Sequence, residues 1–374
     1  MRRPRSRTLE PTRLAAVRAV AQQLHRPPGR GDPAEVVRSA AGIQAQDANA
    51  ARLGVRARSA RAIASDVDRA RAEDRSIVRT WAMRGTLHLL ATEDLAWQRT
   101  LFASRELAWS RRRLSEALGV DATAQERSVR VIARVLEKDG LVTRREVLDR
   151  LESAGIEFDR QTAGHHLPRL AVLQGVACLG PERGRDTTYV LTRDWVDEQP
   201  ALDREAALAE LARRYLAAFG PADEEDMAAW AGLGLGDCRA ALAAIASELA
   251  EVRSGPRRLT MLRRTTLRAA RGRLVRLLPG FDNHLIGHAS REFAVRREHA
   301  RRVAPGGGII RPTLVVDGVA VGTWSTRRAK GRNQISLDPF APLEADVRAA
   351  VAREVEDVGR FEGMAATLTV KRGG

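Results

Sequence analysis

The chain has 374 residues, with 63 Lys or Arg against 47 Asp or Glu, a formal net charge of +16 and a sequence pI near 11.2. That length suggests about two to four domains, 44% hydrophobic residues are enough to bury their cores, and the charge points to a polyanion, most simply nucleic acid. Only Cys178 and Cys238 occur, which supports neither a zinc knuckle nor a disulfide framework; no uncharged apolar run reaches about 18 residues, so a cytoplasmic protein with no membrane partner is expected.

From the N-terminus, "PTRLAAVRAVAQQL" and "DPAEVVRSAAG" read as helices, followed by a helix from about 47, another around 60 to 74, and the hairpin "SIVRTWAMRGTLHLLA", turning at Arg84-Gly85. The pattern is clearest next, in the helices "QERSVRVIARVLEKDG", "TRREVLDRLESAG" and "RQTAGHHLPRLAVLQG" and the strands "VACLG" and "TTYVLT". It returns from 203 to 265 in "DREAALAELARRYLAAFG", "ADEEDMAAWAG" and "LGDCRAALAAIASEL", with "AEVRS" and "RRLTMLR" as strands. Three helices and a two-stranded wing make a winged helix, a helix-turn-helix variant that docks on duplex DNA.

From about 270 short β-rich runs follow: "LVRLLPGF", "EFAVRR", "GIIRPTLVVDGVAVGTWS" and "NQISLDPF", with Asp-Gly at a hairpin turn, then a helix "PLEADVRAAVAREVEDVGRFEG" and a strand "AATLTVK". The expected fold class is α+β: three tandem winged-helix domains (1–120, 121–198 and 199–266) and a small C-terminal β-barrel-like domain (267–374).

Sixty of the 63 basic residues are arginines, since only Lys138, Lys330 and Lys371 are lysines. Arginine's planar fork suits phosphates and base edges; the plainer alternative is a solvated arginine-rich surface. His165 and His166 are adjacent, cannot both face one ion on a helix and have no carboxylate at ligand spacing, so no metal is expected. No nucleophile elbow or Cys–His pair is present, and "PGGG" at 305 to 308 lacks a P-loop lysine and a following helix.

The most suggestive chemistry lies in "GIQAQDA", residues 42 to 48. Gly42 is placed to end one helix and Asp47 to cap the next, leaving Gln44 and Gln46 on the link. In an extended link, residues two apart share a face, so the two amides can converge and orient one water. That suffices only against a good leaving group, such as a cationic alkylpurine departing from C1′. The alternative is that both amides bind local backbone.

"GIQAQD", "RTWAMRGTLHLL", "GPADEEDMAAWAGL", "LLPGFDNHLIGHASRE" and "RPTLVVDGVAVGTW", in that order along nearly the whole chain, resemble the AlkZ-like DNA glycosylases. The resemblance implies three winged helices and a β-barrel around a DNA channel, and removal of bulky alkyl adducts on purine nitrogens, including interstrand crosslinks made by natural-product genotoxins. It implies that Gln44 and Gln46 are catalytic and hold the hydrolytic water; the Gln-x-Gln branch is associated with antibiotic producers and self-resistance. The scarcity of lysines fits a monofunctional enzyme without a Schiff base.

Expected DNA contacts are Asp47 and Asn49 beside the glutamines, Arg84 and His88 at the first hairpin, Asp282, His284 and Arg291 in the segment read as DNA-facing, and Arg327, Arg328 and Lys330 in "STRRAKGRNQ". For His88 the polar side of a strand is the competing reading, and Trp81 reads as core. His288 stands where the family commonly has tyrosine, which bears on the lesion pocket. The expected partner is duplex DNA with alkylated purines, bound by a nucleoid-associated monomer without cofactor. The rival readings are a winged-helix transcriptional regulator and a non-catalytic scaffold.

Overall fold

The computed structural model describes residues 7–26, 31–184, 186–197, 201–329 and 331–371. The chain divides into two compact units, one of residues 1–67 with 208–374 and one of residues 68–207. The expected boundary at residue 120 therefore falls inside the second unit.

In the first unit, β1 (Arg7–Thr8) leads to α1 (Pro11–Ala21), with proline in its first turn, and to α2 (Pro33–Ser39), whose Ala34 N–H is capped by Asp32 at 3.0 Å. The two-residue strand β2 (Ile43–Gln44) and α3 (Ala48–Arg58) follow, and α4 (Ala64–Ala72) carries the chain onward.

The second unit opens with the hairpin of β3 (Ile77–Trp81) and β4 (Leu87–Ala91), which turns at Arg84 and Gly85, both at positive φ (56° and 65°). The helix α5 (Leu95–Leu118) stops at Gly119, and α6 (Ala122–Asp139) is capped by Asp121. After β5 (Val142–Thr143), α7 (Arg144–Ser153) starts in a capping box in which Thr143 and Glu146 satisfy each other's backbone N–H. The chain then forms α8 (His166–Leu173), β6 (Ala177–Leu179), β7 (Thr188–Leu191) and α9 (Thr192–Trp195).

The third helix of this set is shorter than its periodicity predicts. Pro168 lacks the N–H that an upstream carbonyl would bind, which confines it to the first turn, and residues 160–165 form turns, held in part by Asp159 accepting from the Thr162 N–H at 2.8 Å. Within the unit the strands run β4-β3-β6-β7-β5. Arg79 of β3 pairs with Leu179 of β6, so the two hairpins share one sheet; this joining puts Ile77–Ala91 with the later helices. The core under it includes Leu114, Ile132, Leu136, Leu151, Leu167, Leu170 and Tyr189.

The first unit resumes along α10 (Arg204–Phe219), α11 (Glu224–Ala231) and α12 (Leu235–Ala244), then the antiparallel β8 (Leu249–Ser254) and β9 (Arg257–Leu262), with β1 added in parallel to β8. Tyr215, Phe219 and Trp230 cluster with ring centroids 5.0–5.2 Å apart, the first two stacked and Trp230 tilted against both. A five-stranded sheet follows, in the order β10 (Val275–Leu278), β11 (Thr313–Val316), β12 (Val319–Ala329), β13 (Arg332–Pro339) and β14 (Ala366–Val370), interleaved with α13 (Asn283–Ile286), α14 (Ala300–Val303) and α15 (Ala345–Glu362).

Two expectations are corrected here. No closed barrel forms among the described residues: the five strands make an open sheet with β10 and β14 at its edges, and α15 packs against both. "EFAVRR" is not a strand but a run of turns; Phe293 and Val295 are drawn into a small apolar cluster with Leu285, Val303 and Ile310 rather than into a ladder. The Asp317-Gly318 turn is as expected, with φ of 50° and 82°. A Cβ on Gly318 would lie 2.3 Å from the Ala15 carbonyl oxygen, so glycine lets the turn lie against α1.

Candidate catalytic loop and its supports

The link between α2 and α3 is built as its sequence suggests. Gly42, at φ 88°, donates its N–H to Val37 O at 2.9 Å and closes α2. Asp47 Oδ1 accepts from the N–H groups of Asn49 and Ala50 at 2.8 and 3.0 Å and opens α3. Between them Gln44 is 9% exposed, Ala45 is buried and Gln46 is exposed, so the link passes from the interior to the solvent within three residues.

The segment is held from far along the chain. Arg58, at the end of α3, is buried and grips Asp282 with two bonds of 2.8 and 2.9 Å, while also donating to Gln22 Oε1 and Gly54 O. Burial would raise the Asp282 carboxyl, but the Arg58 charge and hydrogen bonds, with the His284 N–H, outweigh it and hold the group below the usual carboxylate range. Two residues earlier, buried Arg56 pairs with Glu354 (3.1 Å) and Asp357 (2.9 Å) of α15. Asn283, also buried, donates from Nδ2 to the carbonyls of Ala40 (3.0 Å) and Gly42 (2.6 Å), directly before the glutamine link.

Among the described residues no group of three or more His, Cys, Asp or Glu is placed to hold a metal ion, and none of the helices is long and apolar enough to cross a membrane. Cys178 and Cys238 are buried and free, and burial pushes their thiols up to about 12 and about 11, the wrong direction for a nucleophile.

Residues 37–361 match the family described as DNA glycosylase AlkZ-like. The chain belongs to this family. It is 31% identical over 360 residues to an interstrand DNA cross-link repair glycosylase of Streptomyces sahachiroi, covering 92% of this chain and 94% of that protein. The solved structure of Streptomyces sahachiroi DNA glycosylase AlkZ is similar with a TM-score of 0.77 at 26% identity, over 97% of this chain and 100% of that one.

Against this AlkZ-like background the expected DNA contacts sort by exposure. Asp47, Asn49, Arg291, Arg327 and Arg328 are exposed and Arg84 is half-buried; Lys330 lies outside the described residues. Arg327 donates to Gln334 Oε1 at 3.0 Å, and Arg328 pairs with Glu362.

Three expected contacts are corrected. Asp282 and His284 are 2% and 0% exposed: Asp282 is committed to Arg58, and His284 donates Nε2–H to Gly318 O at 2.8 Å, so both brace the interior. His88 is 1% exposed, with Nδ1 bonded to Thr86 O at 3.0 Å; burial and then the Arg84 charge push it down to about 3, leaving a neutral ring unsuited to pairing with phosphate. His288, in the tyrosine position, is buried too, with Nε2 on Phe219 O at 3.0 Å.

Sequence reasoning missed Arg58 and Asn283. Neither carries a local sign of its role, because the partners lie 224 and 241 residues away.

Proposed function

We propose that the chain is a monofunctional DNA glycosylase that hydrolyses the N-glycosidic bond of bulky N7- or N3-alkylated purines and unhooks interstrand crosslinks, in self-resistance to a genotoxic natural product; its Streptomyces relative is named an interstrand DNA cross-link repair glycosylase. The observation that carries this reading is the Gln44-Ala45-Gln46 link, with one amide at the interior and the other at the solvent, between a closed α2 and a capped α3.

The chemistry asks little of the protein. N-alkylation leaves the purine cationic, so as its bond to C1′ breaks the base takes the bonding pair and departs neutral. The Gln44 and Gln46 side chains, each with an acceptor oxygen and two N–H donors, hold a water on the developing oxocarbenium carbon; its oxygen bonds to C1′ and its proton passes to solvent. Orientation replaces basicity. No lysine is called for: Lys138 is an exposed residue in the last turn of α6 and Lys371 is exposed after β14.

The architecture we propose for this activity is three tandem winged helices, 1–120, 121–198 and 199–266, followed by the open sheet region, acting as a monomer on duplex DNA in the cytoplasm at the nucleoid. A crosslinked adduct does not fit a base-sized pocket, so the lesion is met in an open channel without base flipping. Asp47, Asn49, Arg84, Arg291, Arg327, Arg328 and Lys330 are the proposed DNA contacts.

The test is base release from duplexes carrying small and bulky N7-alkylguanine. Gln44→Ala and Gln46→Ala are expected to lower the single-turnover rate by about 100-fold or more, the scale of one positioned catalytic group, with DNA affinity retained. Tight DNA binding by the wild type without any release would favour the regulator.

A further inference from the structure

We propose that Asn283 is a positioning residue for the glutamine link, an inference that rests on the proposed glycosylase reading. Its amide nitrogen is within hydrogen-bond distance of two carbonyls, those of Ala40 and Gly42, and these bracket Ala41, which sits at φ 56°. An L-residue in the left-handed region is disfavoured and persists when its surroundings fix it. Here the fixing group is one buried side chain that satisfies a carbonyl at the end of α2 and a second one only two residues before Gln44.

Asn283 is itself held in place. It is the first residue of α13, and its neighbour Asp282 caps that helix through the His284 N–H at 2.9 Å while gripping Arg58. Arg58 belongs to α3, the helix that leaves the link. The adjacent pair Asp282-Asn283 therefore fastens both supports of the link: Asn283 the end of α2, Asp282 the end of α3. A shift of Gly42 passes along Ile43 to Gln44, and water-orienting amides tolerate little displacement. The group here must donate, because an unprotonated oxygen in its place would face two carbonyl oxygens.

The experiment compares wild type, Asn283→Ala, Asn283→Asp and, as a matched destabilised control, Val351→Ala in the buried face of α15. It reads single-turnover base release, DNA Kd, Tm and amide hydrogen exchange of the 40–46 segment. Expected are a rate at least tenfold lower in both Asn283 variants, a Kd within twofold of wild type, and faster exchange confined to the segment, while Val351→Ala keeps its rate within twofold. Asn283→Asp should regain rate relative to wild type as the pH is lowered, because a protonated carboxyl can donate to one of the carbonyls.

Rates and exchange within twofold of wild type in the Asn283 variants, or losses equal to those of the control, would overturn the proposal. A wild type that releases no base sinks the glycosylase reading instead, and segment exchange still decides whether Asn283 holds the link.

Discussion

Arg58 and Asp282 face each other with two hydrogen bonds of 2.8 and 2.9 Å, each side chain 1% exposed. Removing one partner strands a charge in the interior, which costs more than the pair contributes. Asp282→Ala should therefore destabilise the protein by about 3–5 kcal/mol, read as a lower denaturation midpoint with unchanged slope. A loss under about 1 kcal/mol would show that Arg58 reaches water or another acceptor.

Three buried histidines set an acid limit. His88 and His284 are pushed down to about 3 and about 4, mainly by burial, and His288 well below its ordinary value by burial and by Arg18. Their folded pKa values lie below the unfolded value of about 6.5, so the unfolded chain binds the extra protons. Stability is full above that pH and falls as the pH drops below it, at up to about 1.4 kcal/mol per pH unit for each ring. Unfolding free energies from pH 7.5 to 4.8 should show this slope above the range in which carboxylates such as Asp282 contribute, and His88→Asn should flatten it by about one proton.

Gly54 of α3 offers a test of the link that leaves its polar contacts alone. A Cβ there would lie 3.1 Å from Ile43 Cγ2, a tight contact one residue before Gln44. Alanine favours the helix by about 1 kcal/mol, offsetting the crowding. Gly54→Ala should thus keep the Tm within a few degrees and DNA affinity unchanged while slowing base release severalfold; an unchanged rate would mean that Ile43 yields without moving Gln44.

Arg327 and Arg328 are neighbours on β12 with different prospects. Among the described residues Arg327 bonds the neutral Gln334 amide, whereas Arg328 is paired with the largely buried Glu362. Each phosphate contact contributes close to one to the slope of log K against log salt. Arg327→Ala should reduce that slope by about one and Arg328→Ala by clearly less. Equal effects would imply that DNA draws Arg328 away from Glu362.

The sequence by itself determined the local frame of the site. Gly42 and Asp47 marked where one helix stops and the next starts, leaving two glutamines between them, and the structure has that closure and that cap. Asp317-Gly318 announced its turn, and Thr143 the start of its helix. These features are legible because both partners lie within a few residues, where backbone geometry and side-chain reach are fixed by spacing alone.

Only the tertiary structure decided which polar residues face inward. Asp282 and His284 read as a charged, DNA-facing segment, and His88 as a residue beside an exposed turn; each is buried, because an arginine, a carbonyl or a packed strand from elsewhere replaces its water. The β-rich texture after residue 270 indicated most of the strands, though not the turns at "EFAVRR", and left their closure undecided; the sheet is open, with α15 packed on both outer strands. Burial of a polar group depends on what the fold packs around it, as with Arg58, 224 residues from Asp282, and neither periodicity nor propensity carries that information.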